Sequence, residues 1–172
     1  DCMRHGLIIN IVTGLLLTLL VVFGQHALWQ IGQPGEVVEL AIPYLVIVTY
    51  SIVPTMVFQT FRQFAEGMQH TRMAMVVMIT CNILNVALNY VLIYGIWIFP
   101  EMGMNGAGWA TFISRVAMAV WVGLYVYYGK YFSIYRAGIA FGNYSKALLT
   151  KMLHIGLPAG SQFIFEIGRA HV

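Results

Sequence analysis

Residues Met73–Pro100 read MAMVVMITCNILNVALNYVLIYGIWIFP, 28 positions with no Asp, Glu, Lys or Arg. At about 1.5 Å per helical residue, this run is long enough to cross a hydrocarbon core of roughly 30 Å. Inside it, Asn82, Asn85 and Asn89 follow one another at spacings of three and four. A helix turns by about 100° per residue, so the three amides fall in one narrow wedge of its surface. An amide at membrane depth is costly unless another helix or trapped water satisfies it. The wedge therefore faces protein or water rather than lipid, and the run reads as one member of an all-α, polytopic transmembrane helix bundle.

The whole composition agrees with that reading. Hydrophobic residues make up 60% of the 172 and charged residues only 9%, against about a quarter charged in an ordinary soluble domain. The 10 Met, 10 Phe, 10 Tyr and 4 Trp suit membrane spans with aromatic residues near their interfaces. A net charge of +3 does not imply nucleic acid, because the basic residues are scattered and have no common face. The 5 His are dispersed without ligand spacing, so no metal site is read from them. Cys2 and Cys81 are not paired by any pattern, and Cys81 reads as a small packing residue in mid-span.

Working outward, four membrane helices are expected over about 6–31, 37–64, 72–97 and 106–128. Gly32-Gln33-Pro34-Gly35 breaks the chain after the first, and Glu36 and Glu39 open the second as acidic residues at a helix N-terminus should. Pro43 and Pro54 lie eleven residues apart in that second helix, on nearly the same side. Each removes a backbone donor and frees a carbonyl one turn back, which lipid does not tolerate unless neighbours or water re-satisfy it. They read either as packing kinks or as a point at which the helix bends. Polar turns are expected over Phe61–Arg72 and over Pro100–Asn105. Gly106, Ala110 and Ser114 repeat at four, the spacing that lets two helix backbones approach closely. Arg115 lies about nine residues into the fourth helix, roughly 14 Å deep. It points into the bundle or a wet cavity, unless it snorkels to an end.

Residues 130–155 turn polar and basic and read as a linker. Within it Asn143–Ile155 forms an amphipathic helix, with Met152 on the apolar side and Thr150 and Lys151 on the other. Gly156-Leu157-Pro158 opens a fifth span over 156–166. The last six residues, Ile167–Val172, are what a common sequencing adapter encodes when translated, so 167–172 is set apart from the fold. The chain opens at Asp1, at the mouth of a hydrophobic run and without a signal-peptide pattern, and is expected to continue at both ends.

Arg4, Arg62, Arg72, Lys130, Arg136, Lys146 and Lys151 fall on one alternate set of connections. Glu36, Glu39 and Glu101 fall on the other, which carries no Lys or Arg. The positive-inside rule makes the connection near Glu66 and the linker 130–155 cytoplasmic, in a multi-pass plasma membrane protein.

Three blocks together resemble the multidrug and toxic compound extrusion (MATE) transporters of the NorM-like kind. They are Phe61-Arg62-Gln63-Phe64-Ala65-Glu66-Gly67, then Asn82 through Tyr90 with Gly95, then Pro100 through Gly103 to Gly106-Ala107-Gly108-Trp109-Ala110-Thr111. Gly156-Leu157-Pro158-Ala159-Gly160, leading to Glu166, looks like the opening of that family's second half. The resemblance implies about twelve helices in two six-helix lobes around a cavity that alternates its access. Residues 1–129 would then be the last four helices of the first lobe, with other parts of the same chain as partners in the bundle. It also implies a bacterial inner membrane location.

The resemblance implies that Asn85 and Asn89 line the first-lobe cavity, alongside the reading of all three asparagines as interhelical glue. Some branches carry Asp where Asn89 stands; Asn takes up no proton, which argues against a proton site centred there. Glu166 resembles the second-lobe glutamate that binds the coupling cation, Na+ or H+, or a cationic substrate. The implied activity is export of amphiphilic, mostly cationic compounds by a cation-coupled antiporter, with the lipid bilayer as its surroundings and no cofactor. These 172 residues alone are expected not to transport. A flippase for lipid-linked sugars and a non-transporting structural subunit are the alternatives. An enzyme is not expected, since no paired acids, His-x-x-x-His or Gly-x-Ser-x-Gly occur.

Overall fold

A computed structural model of the chain describes residues 2–25, 35–96, 99–129, 150–152, 154, 156 and 158. Glu166, the stretch 167–172 and most of the linker 130–155 lie outside the described residues. Five helices follow in order: α1 (Cys2–Gly24), α2 (Gly35–Tyr50), α3 (Ile52–Gly67), α4 (Thr71–Tyr94) and α5 (Gly103–Tyr128). There is no strand among the described residues.

They make four spans, each long and apolar enough to cross a membrane, because α2 and α3 are two parts of one 33-residue span, Gly35–Gly67. The break between them departs from the single helix expected over 37–64. Its cause is local. Pro54 sits in the first turn of α3 and has no N–H for the carbonyl of Tyr50. The chain tightens instead at Ser51, whose N–H bonds the Val48 carbonyl at 3.0 Å, the shorter bond typical of a helix end. Pro43, by contrast, stays inside an unbroken α2.

A second departure concerns the turn after α3. Phe61–Gly67 is helical, and the chain reverses only at Met68–His70. Gln69 takes the left-handed conformation (φ 64°), and the N–H groups of Gln69 and His70 close on the carbonyls of Glu66 and Ala65 at 2.9 and 2.8 Å. This is a Schellman-type stop, with Gln in the position more often held by Gly. At the far end of α4, Gly95 (φ 63°) is the stop; a side chain there would sit 2.5 Å from the Glu101 nitrogen.

The spans run up and down. Met3 at the start of α1 packs with Ala65 near the end of α3 and Val126 near the end of α5. The end of α4 meets the start of α5, where the Met102 N–H bonds the Leu92 carbonyl at 3.1 Å. Arg4, Arg62 and Arg72 therefore gather at one end of the bundle, with Glu36 and Glu101 at the other. A core of Phe58, Val77, Cys81 and Val122 joins α3, α4 and α5. At the other end of the α4–α5 pair the backbones come close, and a Cβ added to Gly106 would lie 2.6 Å from the Leu92 carbonyl oxygen. Large side chains such as Leu16, Leu20 and Phe23 on α1 are exposed, as a lipid-facing surface requires. In the helical turn at residues 150–152, Thr150 and Lys151 are exposed while Met152 is half-buried and comes beside Gly6 of α1.

Candidate functional site

The asparagine wedge of α4 is divided between two surroundings. Asn89 Nδ2 donates to Asn85 Oδ1 at 3.0 Å, one turn along the same helix. Both side chains are half-buried, and the Asn89 Oδ1 is buried with no hydrogen-bond partner among the described residues. A buried amide oxygen left open costs about 1–3 kcal/mol, so this pair calls for a further donor. Asn82, two turns before Asn89 and exposed, lines a pocket shared with α3 and α5.

One wall of that pocket is a polar stripe on α3, which Thr55, Gln59 and Arg62 contribute and Glu66 continues beyond it. Thr55, Gln59, Arg62 and Glu66 recur at four, three and four, so they share one face of the helix. Arg62 Nε donates to Glu66 Oε1 at 2.7 Å, an ion pair at i,i+4. Opposite the stripe, Arg115 of α5 donates from Nη1 to Ser51 Oγ at 2.5 Å. Thr55, Phe58, Gln59, Arg62, Met78, Asn82, Arg115 and Met118 line a space of about 220 Å³.

Arg115 thus reaches the break in the second span. Hydroxyl side chains add hydrogen bonds to the backbone carbonyls around that break. Ser51 Oγ donates to the Val48 carbonyl, Thr18 Oγ1 of α1 to the Thr49 carbonyl at 3.4 Å, and Thr55 Oγ1 to the Ser51 carbonyl at 2.7 Å. These hydroxyls surround the break with donors, of the kind that lets a proline-broken span persist in a membrane. Pro54 adjoins this cluster; Pro43 does not. A separate polar link joins α1 to α3, where Asn10 Nδ2 donates to Thr60 Oγ1 at 2.8 Å. Ser51, Thr55 and Gln59 were not picked out as site residues in the sequence. The signal that could have found them is the helical spacing of the polar stripe, continued one turn back to Ser51. Among the described residues no group of His, Cys, Asp and Glu could hold a metal ion.

The MatE family model matches residues 2–91, more than half of the chain. The chain belongs to the MatE family. Three similar curated proteins show what this chain resembles. "Probable multidrug resistance protein NorM" of Photorhabdus laumondii is 29% identical over 167 residues, 97% of this chain and 36% of that protein. "Multidrug resistance protein NorM" of Photobacterium profundum is 36% identical over 132 residues, 75% of this chain and 28% of that protein. The Bacillus licheniformis "Probable multidrug resistance protein NorM" is 32% identical over 132 residues, 76% and 29%. The chain spans about a third of the length of these relatives. This MatE chain is part of a multi-pass membrane protein.

Proposed function

We propose that the full-length protein is a cation-coupled antiporter that exports amphiphilic, mostly cationic compounds by alternating access. The observation that carries this reading is the Asn85–Asn89 pair, an amide cluster at membrane depth with one oxygen still open. An acceptor of that kind suits a hydrated cavity crossed by a cation or a hydrogen-bond donor. The family membership and the name shared by the relatives support export of drugs in particular. Among them, a Met- and aromatic-rich wall would accept apolar bodies of many shapes.

Coupling belongs to Glu166 in this proposal. A carboxylate in a low-dielectric cavity exchanges Na+ or H+ for an organic cation, whereas Asn89 takes up no proton. The basic end of the bundle is cytoplasmic in a bacterial inner membrane. A chain of about a third of its relatives' length builds only one wall of such a cavity, so these 172 residues alone do not transport.

The test is expression of the full-length protein in drug-sensitive cells. Resistance and dye efflux are expected, both lost with Glu166→Gln, and inverted vesicles driven by a Na+ or a proton gradient identify the coupling ion. Efflux that survives Glu166→Gln removes the role given to that carboxylate. Movement of lipid-linked sugars without dye efflux would instead support a flippase.

A further inference from the structure

Arg115 stands in the middle of α5, twelve residues after Gly103 and thirteen before Tyr128. By helix rise both ends are about 18–20 Å away, beyond the reach of a snorkelling side chain. Its one hydrogen bond is to the neutral Ser51 hydroxyl, and no ion pair involves it among the described residues. Arg62 also lines the pocket, but its charge is met by Glu66, which lies outside the lining. The pocket therefore carries one uncompensated positive charge at membrane depth. A guanidinium has further N–H donors to give, and a charge so placed demands an anion.

The surroundings say what kind of anion. Gln59 and Asn82 add amide donors to the same wall, while Phe58, Met78 and Met118 make the rest apolar. At about 220 Å³ the space is smaller than the roughly 300–1,000 Å³ of a site that encloses a whole drug-sized ligand. It fits a headgroup, with the rest of the molecule lying along the apolar face outside.

We propose that the pocket between α3, α4 and α5 binds the anionic headgroup of an amphiphile, a carboxylate or phosphate, with Arg115 as its counter-charge. The site is separate from the Asn85–Asn89 pair and independent of how transport is coupled. A cation on that pair and an anion beside Arg115 can be held together, so a zwitterion is served as readily as a cation.

The test uses the full-length protein in uncharged detergent, with two probes, dansylaminoundecanoate and its methyl ester. The carboxylate is expected to bind at least about tenfold more tightly than the ester, the worth of hydrogen bonds to a charged group. Arg115→Gln should abolish that preference and Arg115→Lys keep part of it. Asn82→Asp, at an exposed position, should weaken the carboxylate alone without disturbing the fold. Native mass spectrometry from nanodiscs of equal phosphatidylglycerol and phosphatidylcholine separates the sources. Enrichment of phosphatidylglycerol that Arg115→Gln removes makes the ligand a bilayer lipid; carboxylate preference without that enrichment makes it a free amphiphile. Equal binding of acid and ester by the unaltered protein overturns the proposal, since a carboxylate from elsewhere in the chain would then occupy Arg115. A preference unchanged in both Arg115→Gln and Asn82→Asp overturns it as well.

Discussion

The guanidinium of Arg115 donates to the hydroxyl of Ser51 at 2.5 Å, tying the centre of α5 to the point where the second span breaks. Sixty-four residues separate the two, and the bond joins two polar side chains that lipid rejects, one of them at the residue where the span breaks. Each makes the other tolerable.

That pairing has a measurable energy. Ser51→Ala should cost the full-length protein about 1–3 kcal/mol, because it leaves the guanidinium without its partner. Combined with Arg115→Gln, the losses should fall short of additive by about 0.5–3 kcal/mol. Thermal unfolding in detergent gives the cycle, and strict additivity would mean the two side chains do not interact.

Gly106 should accept no larger residue. A methyl group there would meet the Leu92 carbonyl oxygen at 2.6 Å, prising α4 from α5 at a cost of about 1–3 kcal/mol or more. Gly67→Ala, where a Cβ meets nothing within 4 Å, is the control and should be close to neutral. Melting temperatures of the two variants decide it.

Sidedness can be read with thiol reagents that do not cross membranes. In a protein with Cys2 replaced by Ser, a cysteine at Arg72 should react only from the cytoplasm and one at Glu101 only from the outside, both positions being exposed. Reaction of both from the same side would contradict the crossing of the membrane by α4.

Water access to the amide pair is testable in the same background. Cysteines at Asn85 and Asn89 should label with aqueous reagents in at least one transport state, while Cys81, 1% exposed, should stay unlabelled. If both positions are shielded throughout, the export reading loses its cavity.

Much of the fold was legible because its signals are local. Charge-free runs announce spans, whereas the stop at Gly95, inside the helix expected over 72–97, was not read from the sequence, because the approach of Glu101 that leaves room only for glycine is a contact of the folded chain. The Gly106-Ala110-Ser114 spacing foretold the close packing of α4 on α5. The break at Ser51 was half visible, as two prolines in one span, but which proline mattered was not. Gln69 escaped notice because residue preference points to Gly67 for the same turn.

The site was less legible. The wedge of Asn82, Asn85 and Asn89 was plain from periodicity, yet its division between two surroundings was not, because periodicity gives the direction of a side chain and not what stands opposite. The sequence by itself determined four spans and the segregation of basic and acidic connections, both properties of composition and spacing along the chain, and its likeness to known proteins gave the family. Only the tertiary structure decided that Arg115 meets Ser51, that Asn89 closes on Asn85, and that Asn82 joins the polar stripe of α3. Those contacts depend on the rotation and depth of one helix against another, which are settled by the packing of whole faces and by small residues such as Gly106, and no local pattern encodes them.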